Sequence, residues 1–253
     1  MITTTTLGKL GRFANQMFTV AGCIGIARKS GQPFAFPKWQ NTDHRDRFGS
    51  SEDIDIYKHL ANPLPELPDG LTFREYGCFW GYRDVHLPTG NWSIDAHMQS
   101  DKFFLHCIDE VRHYFTFKNE YEQNEYVAIH YRAGDYQEGD NVHHPRCTRE
   151  YYDKAIALFP GHKFRVFSDD PDAATRLFDG RYEVVSGDYI TSFKMMKACK
   201  SFITANSSYS LMAAILGTHP EKKVVCPKRW FGSAWPNPDE MARDIYPQNS
   251  IVL

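Results

Sequence analysis

The chain has 253 residues, enough for two small domains or one large one. Its 42% hydrophobic and 24% charged residues are ordinary for a globular chain, and 17 Gly with 14 Pro exclude collagen-like and low-complexity readings. Lys and Arg number 29 against 31 acidic residues, a net charge of -2 that argues against a general nucleic-acid binder and leaves room only for a local basic pocket.

β-Branched residues open the chain, and residues 2–6 read as a strand followed by a glycine loop, Gly8 to Arg12. A helix is predicted over 13–29, with Met17, Phe18, Ala21, Ile24 and Ala27 on its apolar stripe and Gly31 closing it. Its apolar run from Val20 to Ala27 is interrupted by Gly22 and Gly25 and ends at Arg28-Lys29, far short of the roughly 18–20 apolar residues a membrane span needs. Residues 38–95 are rich in Pro, Gly, Asp and Asn and predict no element. Phe104, Ile108, Val111 and Phe115 fall at helical spacing within 101–115, and the polar stretch 117–125 reads as a linker. From there the rhythm is regular. Strands at 126–130, 164–167, 182–185, 202–204 and 223–226 alternate with helices at 148–159, 172–178, 191–200 and 209–216. Five strands and four helices imply a mostly parallel sheet covered on both faces, with ligands outside the carboxyl ends of its strands. The expected organisation is two α/β lobes, 1–120 and 121–253. Met1 to Leu7 carries no basic segment ahead of an apolar core and does not read as a secretory signal. The six cysteines (Cys23, Cys78, Cys107, Cys147, Cys199 and Cys226) form no CxxC pair and read as reduced, mostly buried thiols. A soluble, cytoplasmic protein is expected.

Three predicted strand ends carry the chemistry. His130-Tyr131-Arg132-Ala133-Gly134-Asp135-Tyr136 places an arginine where a strand enters a glycine-containing turn, either as a guanidinium fork for phosphate oxygens or as a surface arginine paired with Asp135. Phe167-Ser168-Asp169-Asp170-Pro171 offers adjacent carboxylates that accept hydrogen bonds from a base or sugar, bind a metal, or cap the next helix. No further oxygen ligands stand at short spacing, which disfavours the metal. Ala205-Asn206-Ser207-Ser208-Tyr209-Ser210 lies between strand and helix, where hydroxyls and free N–H groups make either an anion site or a simple cap. Convergence of three strand ends on one crevice favours the functional reading of each. Near the N-terminus, Gly8-Lys9-Leu10-Gly11-Arg12-Phe13-Ala14-Asn15-Gln16 is neither a Walker loop nor a GxGxxG fingerprint. A glycine loop with Arg, Asn and Gln in the first helical turn suits hydroxyls or phosphate. His143, His144 and Cys147 lack a fourth ligand at zinc spacing and read as a solvated loop.

In this order the segments resemble the α-1,2-fucosyltransferases of glycosyltransferase family 11. Gly11 to Phe18 is similar to that family's Gly-Arg-x-x-Asn-Gln-Met-Phe, and Met98 to Phe104 to its Trp-Gln-Ser-Glu-Lys-Tyr-Phe. His130 to Asp135 resembles His-x-Arg-Arg-x-Asp, and Phe167 to Asp170 resembles Phe-Ser-Asp-Asp. Thr204 to Ser210 is similar to Ile-Ala-Asn-Ser-Thr-Phe-Ser, and Val224 to Phe231 to Val-Ile-Ala-Pro-Lys-x-Trp-Phe. The resemblance implies a GT-B fold, two Rossmann-like lobes facing a cleft, with residues 1–120 on the acceptor side and 121–253 binding a GDP-sugar. It implies inverting transfer of L-fucose from GDP-fucose to the 2-hydroxyl of a terminal galactose-like residue of a glycan, with no metal and no further cofactor. Neither a nucleic-acid partner nor a transmembrane segment is expected, and any membrane contact would be peripheral.

Carried over residue by residue, the resemblance has Arg132 hold the donor β-phosphate and stabilise charge on the leaving GDP. His130 and Asp170, with Asp169 second, would contact guanine or orient the loop. Asn206, Ser207, Ser208 and Ser210 would offer hydroxyls and a helix N-terminus to the diphosphate. Arg12, Asn15 and Gln16 would face the fucose and the acceptor hydroxyl. A single displacement needs a proton acceptor, and Asp135, Glu138 and Asp140 are the candidates. Asp135 is expected to buttress Arg132, which leaves Glu138 or Asp140. Two positions depart from the family pattern. Ala133 replaces its second Arg, removing a positive charge beside the diphosphate, and Leu211-Met212 replace a usual Trp-Trp. They keep two other readings open: transfer of another GDP-linked sugar, or an inactive glycan- or nucleotide-binding protein on the same fold.

Overall fold

Alternating apolar strands and amphipathic helices resolve into two α/β units in the computed structural model, Met1–Asn119 and Glu120–Leu253. It describes residues 1–8, 11–38, 55–77, 81–136, 142–185 and 187–253. Cys78, Glu138 and Asp140 lie outside the described residues.

The first unit holds a three-stranded, all-parallel sheet of β1 (Ile2–Thr3), β2 (Arg74–Gly77) and β3 (Trp92–Asp95), in the order β1-β3-β2. Helix α1 (Phe13–Lys29) follows β1 and is buried nearly all round, with Met17, Phe18, Val20, Ala21, Cys23 and Ile24 fully enclosed. Gly25 is what lets a neighbouring segment lie on it: a Cβ there would stand 2.0 Å from the Phe103 carbonyl oxygen. The helix expected across 101–115 is broken. Single 3₁₀ turns at Asp101–Phe103 and Leu105–Cys107 precede α2 (Ile108–Tyr114), because the Ser100 hydroxyl caps the first turn and Phe104 leaves helical geometry. Strand β2 escaped notice because it is exposed along most of its length and shows no alternation.

The second unit is a six-stranded, all-parallel sheet in the order β6-β5-β4-β7-β8-β9. Its strands are β4 (Asn124–Tyr131), β5 (Phe164–Ser168), β6 (Glu183–Val185), β7 (Cys199–Ile203), β8 (Val224–Cys226) and β9 (Ile251–Val252). Helices α3 (Arg149–Ile156), α4 (Pro171–Leu177), α5 (Tyr189–Lys197), α6 (Ser208–Leu216) and α7 (Pro238–Ala242) connect them. β8 was expected to be the last strand, but β9 adds an edge, pairing Val225 with Ile251. Two half-exposed residues give no periodicity to detect. Helix α5 starts two residues earlier than its apolar spacing suggested, because Asp188 accepts from the N–H groups of Ile190 and Thr191 and fixes the first turn.

Val127, Ile129, Tyr131, Tyr152, Val166 and Phe178 form the core on one face of this sheet. Consecutive tyrosines of α3 reach through it to two strand ends: Tyr152 donates to the His130 carbonyl at 2.8 Å and Tyr151 to the Thr204 carbonyl at 2.7 Å. From β4 the chain winds one way through β5 and β6, then returns to β4's other side for β7, β8 and β9. The boundary between β4 and β7 is therefore a topological switch point, where the loops after the two strands part and leave a crevice. Among the described residues, no helix is long and apolar enough to cross a membrane.

Candidate active site

The loop leaving β4 opens with Arg132, whose side chain is 19% exposed and lies between two carboxylates. Asp135 accepts from Nε at 2.9 Å and Nη2 at 2.5 Å, and Asp169, at the end of β5, pairs with Nη1 at 2.8 Å. Burial opposes the charge, but the fields of Asp169 and Asp135 hold the guanidinium protonated. A guanidinium has five N–H donors, and these contacts use three. Among the described residues, one donor on each terminal nitrogen is left, the spacing of a bidentate fork for phosphate or carboxylate oxygens. One cation and two carboxylates leave the trio a net charge of −1.

Asp169 does more than neutralise. Its carboxylate also accepts from the N–H groups of Ala133, at 2.8 Å, and Gly134, at 3.1 Å, and so gathers the turn around one anion. Gly134 has to be glycine for this, since a Cβ would stand 2.7 Å from the carboxylate. Asp170, placed ahead of Asp169 by the family resemblance, caps α4 and accepts from the Ala173 N–H at 2.9 Å. The helix-cap reading wins for Asp170 and the loop-orienting reading for Asp169. Ala133 is fully buried in the apolar core cluster. Its backbone rather than its side chain serves the turn, the N–H donating to Asp169 and the carbonyl accepting from Arg146.

Across the switch point, α6 begins at Ser208 with no side-chain cap from Ser207. Its first-turn N–H groups lack partners within the helix. Asn206 was expected to meet the diphosphate, but its side chain is 2% exposed and fully engaged. Nδ2 donates to the carbonyls of Pro145 and Trp230, both at 2.9 Å, and Oδ1 accepts from the Cys147 thiol. Its backbone carbonyl accepts from the Tyr136 hydroxyl at 2.8 Å, which ties the two loops together. Ser210 is likewise buried and shares a 2.9 Å hydrogen bond with His130 Nδ1, while its hydroxyl reaches the Ser207 carbonyl at 3.3 Å. Burial holds the His130 imidazole far below its ordinary pKa, so it is neutral, and it links β4 to α6 rather than facing solvent. Ser207 is also buried, and of the expected set Ser208 alone is half-buried.

In the first unit, Gln16 is 1% exposed and closes the glycine loop, accepting from the Gly8 N–H at 2.7 Å and donating to the Gly11 carbonyl at 2.9 Å. Arg12 is the residue preceding α1, and both it and Asn15 are half-buried. The Asn15 side-chain oxygen Oδ1 accepts from the Gln99 side-chain amide at 2.7 Å, which joins two segments 84 residues apart. Gln16 is thus a loop clamp, while Arg12 and Asn15 keep partial access to solvent.

The segment around Pro145, Arg146 and Cys147 carries more of the site than its polar composition suggested. It bonds both to the β4 loop and to Asn206. Only Pro145, a rigid residue beside a predicted helix start, marks it in the sequence. Among the described residues, no group of three or more His, Cys, Asp or Glu side chains is arranged to hold a metal ion.

Comparison with known proteins gives this geometry a context. The family model described as glycosyl transferase family 11 matches residues 69–244. The O-antigen biosynthesis glycosyltransferase WbnK of Escherichia coli is 36% identical over 118 residues, a match spanning 42% of this chain and 39% of that protein. Among solved structures, the α-1,6-fucosyltransferase NodZ soaked with GDP-fucose overlaps with a TM-score of 0.45 at 13% identity, covering 81% of this chain and 89% of that one. NodZ from Bradyrhizobium gives 0.46 at 11% identity with the same coverage. E. coli heptosyltransferase WaaC with ADP gives 0.38 at 17% identity, over 56% of this chain and 41% of that one. The family match takes in every strand end that builds the crevice, and the chain belongs to glycosyl transferase family 11.

Proposed function

We propose that the chain is an inverting, metal-independent glycosyltransferase that moves L-fucose from GDP-fucose to the 2-hydroxyl of a terminal galactose-like residue, working in the cytoplasm. The observation that carries this reading is Arg132. In a family 11 chain, a protonated guanidinium stands at the switch point of a parallel sheet with, among the described residues, one donor on each terminal nitrogen uncommitted. In this reading those two donors meet the β-phosphate, and their attraction grows as negative charge collects on departing GDP. Asp135 and Asp169 hold the guanidinium ready, so little reorganisation accompanies the reaction. The first-turn N–H groups of α6 are a second, uncharged source of hydrogen bonds for the diphosphate.

Direct transfer with inversion places the acceptor hydroxyl in line with the breaking bond and takes its proton as the new bond forms. Asp135 is already committed to Arg132, so the proton falls to Glu138 or Asp140, three and five residues further along. Arg12 and Asn15 are assigned to the sugar side. The test is GDP release from the pure full chain incubated with GDP-fucose, GDP-mannose and other sugar nucleotides, with Mg²⁺ and with EDTA. Selective release from GDP-fucose in both buffers is expected. Release from another sugar nucleotide replaces the donor, and release that stops in EDTA overturns the metal-free mechanism.

A further inference from the structure

The turn after β4 has a second guanidinium on it, supplied from outside the strand-end motif. Arg146 Nε lies between the carbonyl oxygens of Ala133, at 3.1 Å, and Tyr136, at 2.8 Å, the two ends of the turn that bears Asp135. The N–H side of the same turn is held by Asp169. An anion therefore grips the donors of the turn and a cation grips its acceptors. Either grip alone leaves the turn able to pivot about the other, and the two together fix its shape. Arg146 is itself anchored through its neighbours: the Pro145 carbonyl accepts from Asn206, and the Cys147 thiol donates to it. Asn206 in turn begins the α6 side of the crevice. Arg146 thus relates the β4 loop to the α6 turn, the two walls of the switch point.

We infer that Arg146 is a positioning residue for the donor site, holding the 132–136 turn so that the uncommitted N–H groups of Arg132 are aimed at the donor diphosphate. The inference rests on the reading that Arg132 receives that diphosphate. A bidentate fork is sensitive to aim, and a displacement of about 1 Å costs on the order of a hundredfold in a positioned reaction.

The experiment is a double-mutant cycle on the full chain with GDP as the probe, read by calorimetric titration and supported by GDP-fucose hydrolysis. Arg132→Ala, Arg146→Ala and the double variant are compared with the parent. Arg146→Ala is expected to weaken GDP binding by about tenfold to a hundredfold. The double variant should be no weaker than Arg132→Ala, because Arg146 acts through Arg132. The nucleotide-free melt of each variant is read alongside: a positioning role predicts weakened GDP binding with little change in the melt, and a merely structural role predicts a lowered melt. If Arg132→Ala binds GDP like the parent, the reading of the site itself falls. If Arg132→Ala is weakened and Arg146→Ala is not, or if the two losses add, the positioning role alone is overturned. Should Arg146→Ala fail to fold, Arg146→Lys takes its place in the cycle: it keeps the cation but loses the planar fork, and the same non-additivity decides.

Discussion

Replacing Asn206 with Ala separates a residue that binds a ligand from one that builds the place where a ligand binds. In the structure the amide is 2% exposed, donates to the Pro145 and Trp230 carbonyls at 2.9 Å each, and accepts from the Cys147 thiol. Truncation leaves two enclosed carbonyls without this donor, at about 1–3 kcal/mol each, while the weak thiol bond adds little. Water entering the small space left behind recovers part of this, so about 3 kcal/mol is the expected loss. For a chain of this size each kcal/mol lowers Tm by roughly 2–4 °C, which gives a fall of about 6–12 °C. Scanning calorimetry without nucleotide measures it directly. If Asn206 instead served the diphosphate through its side chain, the nucleotide-free chain would melt as the parent does and only GDP affinity would fall. A shift below 2 °C with weakened GDP binding would therefore refute the argument made here from burial and bonding.

Arg132→Lys replaces a fork with a point charge and should lower GDP-fucose hydrolysis by about a hundredfold or more, against little change in the melt; parental turnover would remove the guanidinium from the mechanism. Gly134→Ala puts a methyl 2.7 Å from the Asp169 carboxylate, which then has to move away from Arg132 and the turn. About 1–3 kcal/mol of destabilisation is expected, with faster hydrogen exchange at the 133 and 134 amides; protection equal to the parent's would contradict the proposed grip. His130 is neutral when folded because burial lowers its pKa, so the unfolded chain binds the extra proton first. Stability from this group is present above the unfolded value of about 6.5 and is lost as pH falls below it, by up to roughly 1.4 kcal/mol per pH unit. His130→Asn should flatten the acid limb of a Tm–pH curve between pH 7 and 5, and an unchanged slope would show that another group sets it.

The parallel sheet of the second unit was legible in the sequence because its central strands β4, β7 and β8 are largely buried and read as apolar runs separated by turn residues. The boundaries depended on polar side chains: Asp188 and Asp170 are caps, and only the former's effect on its helix was missed. Where elements are exposed or very short, as in β2 and β9, there was no burial contrast to read. Asp169 and Asp170 illustrate a different barrier. Two identical carboxylates at adjacent positions differ in role because the chain places one over the Arg132 turn and the other over a helix start. That difference is one of direction, which composition does not encode. Arg146 was invisible for a related reason, since its work is done on carbonyl groups and backbone acceptors have no sequence signature.

The two adjacent tyrosines of α3 have one more consequence. Their hydroxyls hold the carbonyl ends of strands on opposite sides of the crevice, Tyr152 at His130 and Tyr151 at Thr204. Because both project from one rigid turn of helix, they act as a caliper whose jaws are set at a single width. Widening the mouth means unmaking a buried hydrogen bond, and narrowing it means bending α3. The separation of the two strand ends is therefore set by α3, one layer behind the loops that follow them.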